Sequence, residues 1–123
     1  NAAIAPQDVD FISAHATGTK MGDVVEAQAM HKVYGDAHRP YVSALKSYMG
    51  HTMAACGAIE TILVLYMMQA GFMAPTLNLD EVDPRCDMLR HVQRIREEKI
   101  RTAVIQNFAF GGVNTTLIMR KFP

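Results

Sequence analysis

Thr52-Met53-Ala54-Ala55-Cys56-Gly57-Ala58-Ile59-Glu60-Thr61-Ile62-Leu63-Val64-Leu65-Tyr66-Met67-Met68-Gln69-Ala70 decides how this chain folds. Only Thr52, Glu60, Thr61 and Gln69 are polar in this stretch, and its length suits a helix of about five turns at 3.6 residues each. Length and hydropathy nearly allow a membrane span. Against that, Glu60 in mid-helix is costly in lipid. The segment is therefore expected as a helix buried inside a soluble fold, with protein on every side. Its first half is small (Ala54 to Ala58) and would let neighbouring backbones approach closely; its second half, Ile62 to Met68, is large.

Working outward, Tyr41-Val42-Ser43-Ala44-Leu45 precedes this helix and alternates like a strand, as does Val9-Asp10-Phe11-Ile12-Ser13-Ala14. Between them lies a loop, His15-Ala16-Thr17-Gly18-Thr19, and then a helix expected to start near Asp23. Asp23 and Glu26 form a capping-box pattern, Val24, Ala27, Val33 and Tyr34 make an apolar stripe, and Gly35 can end it. Asp36 to Pro40 is a loop. Beyond the long helix, Asp80 to Arg101 holds 12 of the 24 charged residues with both signs mixed, and reads as a solvated loop or hairpin. Thr102 to Phe108 and Asn114 to Arg120 read as strands joined through Ala109-Phe110-Gly111-Gly112, and so should pair antiparallel. The earlier strand–helix–strand unit implies parallel neighbours. The sum is an α/β fold: a mixed β-sheet with a buried central helix and covering helices.

The 123 residues suit one domain, 1–123, half of it apolar and 20% charged. Twelve basic and twelve acidic residues cancel, so the charge balance points to neither nucleic acid nor an anionic membrane surface. Cys56 and Cys86 cannot make a disulfide framework and lack metal-site spacing, which suits a reducing, cytoplasmic setting; no metal site is expected. Asn1 to Asp10 has neither the basic start nor the apolar core of a targeting peptide. The chain opens without methionine and enters a strand-like run within ten residues, so it is expected to be a piece of something longer.

Three loops each follow a strand: His15 to Thr19, Lys46 to His51, and Phe108 to Gly112. In an open α/β sheet ligands collect at the carboxyl ends of strands, so these loops could meet at one site. That would gather His15, Lys46, His51 and the Phe110 backbone. His31, His38 and His91 read as structural. Neutral imidazoles can donate N–H bonds to a carbonyl oxygen that is becoming an enolate, and a nearby ammonium keeps them neutral. A buried lysine needs a counter-charge, and Glu60 lies on the helix that starts just after His51, so a Lys46–Glu60 pair is inferred; the alternative is a Glu60 carboxylate satisfied by backbone amides or water.

These residues resemble a family. Ser13-Ala14-His15-Ala16-Thr17-Gly18-Thr19 with Gly22-Asp23 and Glu26, Lys46-Ser47 and Gly50-His51 with Glu60, and Phe108-Ala109-Phe110-Gly111-Gly112-Val113-Asn114 are similar, in register, to the C-terminal half of the β-ketoacyl-ACP synthases. These are the condensing enzymes of the thiolase superfamily, acyltransferases of fatty-acid, polyketide and polyene synthesis. Pro75-Thr76-Leu77-Asn78-Leu79 and Cys86-Asp87 match as well, and the resemblance runs from about Val9 to Lys121.

The resemblance implies roles. His15 and His51 would bind the malonyl thioester carbonyl and promote decarboxylation, and Lys46, ion-paired with Glu60, would organise them. Thr17 and Thr19 would hydrogen-bond the phosphopantetheine arm. Phe110 would be the gating residue whose backbone N–H shares the oxyanion hole, and Gly111 and Gly112 would let that loop move. The enzyme would bind no cofactor of its own, since its substrates ride on the phosphopantetheine of acyl carrier protein. The implied partners are that carrier, the N-terminal half of the same synthase, and a second subunit, as a homodimer or a ketosynthase/chain-length-factor heterodimer.

Departures from the family pattern qualify this. The family's nucleophilic cysteine lies on a strand-to-helix elbow in the N-terminal half, outside these residues, so the 123 residues alone are expected not to condense anything. Cys56 stands where a small residue such as Ala is usual, and both cysteines read as structural. Ala16 and Gly18 stand where Gly and often Ser are found, Asn107 where Ser is common, and Ala109 and Val113 in place of Gly and Thr. The leading reading is an active synthase. The alternative is a non-catalytic partner of the chain-length-factor kind.

Overall fold

The computed structural model describes residues 2–122. Strand β1 (Phe11–Ser13) leads through helix α1 (Gly22–Tyr34) to strand β2 (Tyr41–Ser43). A one-turn helix α2 (Lys46–Met49) and a 3-10 turn (Met53–Ala55) precede the long helix α3 (Cys56–Ala70). Then come β3 (Arg90–His91), β4 (Thr102–Ala109) and β5 (Val113–Arg120). The five strands form one sheet in the order β3-β2-β1-β4-β5. As the sequence predicts, β1 runs parallel to β2, and β4 and β5 form an antiparallel hairpin. β1 also lies parallel to β4.

The period-two geometry of the strands sorts their side chains into two cores. Phe11, Tyr41, Ala103 and Ile105 face α3 with Val64, Met67 and Met68. Ile12, Val42 and Val104 face the other layer, with Met30 of α1. β1 and β2 are buried on both faces, as parallel strands are. Gly71 ends α3 in the left-handed region (φ +77°), where its N–H reaches back to the Met67 carbonyl.

Three expectations need correction. First, α3 is buried on one face only: Cys56, Glu60, Val64, Met67 and Met68 are covered, while Ile62 and Tyr66 are 66% and 62% exposed. An apolar composition all round says that a helix suits cover on every side, yet this chain supplies cover on one. Residues 53–70 do have the length and mean hydropathy, 1.5, of a membrane span. The inner face, however, carries a fully buried, ion-paired Glu60 against the sheet.

Second, Asp23 and Glu26 do not form a capping box. Met21 occupies the N-cap without a side-chain bond. Asp23 instead accepts the Gly18 N–H (3.1 Å), and Glu26 accepts those of His15 and Ala16 (both 2.8 Å). The inward-turned loop amides needed acceptors more than the helix end did.

Third, the charged segment contains a strand. β3 pairs parallel with β2, and the Tyr41 ring lies between the guanidinium groups of Arg90 and Arg96, 3.7 and 4.4 Å from its centroid. Two residues at a sheet edge, both polar, leave no periodic signal.

The uncovered apolar face of α3 has a measurable consequence. The 123-residue chain by itself should self-associate at micromolar concentration, and Ile62→Lys with Tyr66→Lys should shift it toward monomer. A wild-type monomer in sedimentation velocity would refute this.

Candidate functional site

The carboxyl ends of β1, β2 and β4 bring most of the expected residues together. β1 runs out into His15, β2 leads to Lys46 at the start of α2 and past that turn to His51, and Asn107 lies near the end of β4. The His15 and His51 rings meet edge to face with centroids 5.5 Å apart, and Phe108 packs on His15 at the same separation. Lys46 Nζ donates to Glu60 Oε1 at 2.6 Å, both side chains being almost wholly buried. The ion pair inferred from sequence is thus present, and Asn107 Nδ2 donates to the other carboxylate oxygen at 3.0 Å.

His15 is held below the ordinary 6.5 of a histidine, first by burial and then by the Lys46 ammonium; the Asn107 contact and Glu60 oppose this, and His51 adds to it. Burial and the ammonium together thus favour the neutral imidazole, the state expected for a carbonyl-polarising role. Glu26 moves the other way. Burial raises its carboxyl, against the lowering effect of the Ala16 and His15 amides.

Thr17 and Thr19 lie on the β1–α1 loop with their hydroxyls 3.4 Å apart, and Thr19 Oγ1 accepts the Gly22 N–H. Thr17, Asp23, Lys46, His51 and Thr76 help line a cleft of about 270 Å³. Beside it, between α1 and the charged segment, Val24, Met30, Val82 and Leu89 help wall a second cavity of about 310 Å³.

Phe110 lies apart from the packed cluster. It sits at the tip of the β4–β5 hairpin with its side chain 96% exposed, before Gly111 and Gly112 at φ +81° and +79°. Those left-handed conformations explain two successive glycines there.

Two of the three histidines read as structural have structural contacts: His38 Nε2 pairs with the Val9 carbonyl (2.7 Å) and His91 Nε2 with that of Cys86 (2.9 Å). His31 lies on α1, its Nδ1 buried without a hydrogen-bond partner among the described residues. Cys86 is a buried thiol, pushed up first by burial and then by Asp83.

Cys56, read as structural, belongs to the site. It opens α3, its Sγ 3.1 Å from His51 Nδ1, and it accepts the Thr52 hydroxyl at 3.3 Å. Its five-residue spacing from His51 across the helix start was the available signal. Asn107 was in view only as a family position and Glu26 also as part of a helix-start pattern, and nothing in their spacing announced their bonds. Among the described residues, no three His, Cys, Asp or Glu gather as a metal site would require.

The arrangement defines a class: an open α/β sheet of the thiolase-like kind, with two imidazoles and a buried ammonium at the carboxyl ends of parallel strands. Residues 1–80 match the family described as Beta-ketoacyl synthase, C-terminal domain, and the chain belongs to that family. It is 40% identical over 122 residues to 3-oxoacyl-[acyl-carrier-protein] synthase 2 of Coxiella burnetii, covering 98% of this chain and 30% of that protein. A β-ketoacyl synthase structure from Burkholderia phymatum STM815 superposes with a TM-score of 0.93 at 42% identity, covering 99% of this chain and 30% of its own. The ishigamide ketosynthase/chain length factor structure gives 0.91 at 40%, covering 98% and 30%. The chain thus spans under a third of the length of the proteins it matches.

The depressed His15 value gives a pH signature. The folded protein takes up this proton at lower pH than the unfolded chain does. His15 therefore favours the fold above 6.5, and that contribution is lost as pH falls through the folded value. Glu26, with its raised value, acts in the opposite sense. Denaturant midpoints taken from about pH 7.5 down to about pH 5 should fall less steeply in His15→Gln than in wild type. Parallel curves would contradict the assignment.

Proposed function

We propose that this chain carries the decarboxylating part of the condensing site of a β-ketoacyl-ACP synthase. The observation that supports it most is the His15–His51 pair, ring to ring at 5.5 Å, beside the buried Lys46–Glu60 ion pair. A malonyl thioester entering past Thr17 and Thr19 would place its carbonyl at the imidazoles. The carboxylate C–C bond then breaks, carbon dioxide leaves, and the electron pair passes into an enolate whose oxygen is stabilised as its charge develops. The carbanion attacks an acyl group held as a thioester on a cysteine outside these residues, the cysteine thiolate departs, and a β-ketoacyl product forms. Phe110 and the Gly111-Gly112 turn would form the gate over that acyl group.

The carrier on both sides of this reaction is the phosphopantetheine of acyl carrier protein, and the synthase itself needs no bound cofactor. The remaining partners are the N-terminal half of the synthase, which would cover the open face of α3, and a second subunit. The setting is the cytoplasm. The similarity to the ishigamide ketosynthase/chain length factor structure supports a second reading, a chain-length-factor-like partner in a heterodimer. Retention of His15, Lys46, His51 and Glu60 favours the synthase, and the residue at the family's nucleophile elbow separates the two.

In the protein that carries this chain, His51→Ala should lower decarboxylation of malonyl-ACP at least about a hundredfold while acylation of the nucleophile proceeds. Decarboxylation at the wild-type rate would remove His51 from this role.

A further inference from the structure

We propose that the cavity between α1 and the charged segment is a binding site for a small, uncharged, apolar molecule, and that its occupant bears on the loop carrying His15.

The cavity measures about 310 Å³. An apolar cavity of roughly 150 Å³ already holds a benzene ring and no water, so this one has room for a ring with substituents. Ala27 and Met30 of α1 and Val42 of β2, all buried, form its floor, and Val82 and Leu89 close it from the charged segment.

The polar groups along these walls are already engaged. The two Glu26 oxygens take the His15 and Ala16 N–H groups, and Asp23 takes that of Gly18. Thr76 Oγ1 accepts the Ala44 N–H at 2.9 Å, and His91 Nε2 pairs with the Cys86 carbonyl. At the exposed end, Asp83 and Arg85 pair with each other. Among the described residues, the buried side-chain atoms left without a hydrogen-bond partner belong to Ser13, His31, Tyr41, Ser43 and Gln106, and none of these lines the cavity. A charged ligand would shed its water there and find no free counter-group inside. Water in the interior would be poorly held, and an apolar group that displaces such water gains affinity. The walls therefore select a neutral, apolar molecule of about one ring.

The coupling to the cleft lies in a shared wall. Ala16, Gly18, Asp23, Ala44 and Thr76 face both cavities. Ala16 has φ +31°, a sparsely populated conformation for a residue with a side chain. It keeps that conformation while Glu26 holds its N–H and that of His15, both at 2.8 Å. A molecule seated against Ala16 presses on backbone that is strained already, one residue from the His15 ring.

Toluene, titrated into the protein that carries this chain with methyl and histidine ring signals assigned by substitution, tests both parts. Toluene should shift the Ala27, Met30 and Val82 methyl signals saturably, and the His15 ring signals with the same midpoint. Benzoate and benzylammonium, which carry a charge of either sign, should bind at least about tenfold more weakly. Ala27→Leu, which fills the cavity from α1, should weaken toluene binding by a similar factor. Cys86, a buried thiol in the same wall, gives a reading in the wild type should that variant not fold. Benzyl methanethiosulfonate leaves a benzylthio group on the sulfur as methanesulfinate departs, and peptide mapping should show toluene slowing this step at Cys86 several-fold. Methyl signals that stay in place, charged analogues that bind as well as toluene, a filled cavity that binds as the open one does, or Cys86 modified at the same rate with toluene present would each overturn the site. His15 signals that stay still at saturation would overturn its coupling to the loop. None of these readings needs turnover, so a protein that binds toluene here yet leaves malonyl-ACP untouched would overturn the reaction assigned to the cleft and leave this site standing.

Discussion

Lys46 and Glu60 are opposite charges taken out of water and set 2.6 Å apart, one on the short helix after β2 and the other a turn into α3. Neither could be buried alone without a penalty of several kcal/mol, roughly, per ion. Each therefore constrains where the other's element can sit. The carboxylate's second oxygen takes Asn107 from β4, whose oxygen meets His15 from the β1 loop. Elements far apart in sequence are thus tied at one point, and the two imidazoles take their places around it.

The ammonium also acts through its charge. It is the second cause, after burial, that holds His15 below its ordinary value, so one group both positions the site and helps disfavour the charged form of that ring. The loop carrying His15 needs separate support. Glu26, reaching back from α1, accepts the His15 and Ala16 amides. Such a bond fixes backbone direction and leaves the imidazole free for the cleft side. Two buried carboxylates thereby divide the labour: Glu60 serves the side chains and Glu26 the backbone.

Much of this was legible from the amino acids because it follows from short-range rules. The β1 and β2 strands showed in their alternation, the hairpin in Gly111-Gly112, and the ion pair in the cost of burying Glu60. The convergence of His15, Lys46 and His51 followed from strand ends alone. What escaped depended on tertiary choices. Asp23 and Glu26 satisfy a helix-start pattern, yet their carboxylates found better donors in a neighbouring loop. Tyr41 between two arginines organises an edge strand too short to signal itself. The composition of α3 records every surface it suits, including one that these residues leave open. Cys56 reads as a small core residue until the helix start turns its sulfur toward His51.

The Lys46–Glu60 pair thus acts as a unit that assembles the site. A double-mutant cycle with Lys46→Met and Glu60→Gln, read by denaturant unfolding of the protein that carries this chain, tests it most directly. The coupling energy should be about 2 kcal/mol or more, the double variant being less destabilised than the sum of the single ones. Single losses that simply add, with a coupling near zero, would contradict it.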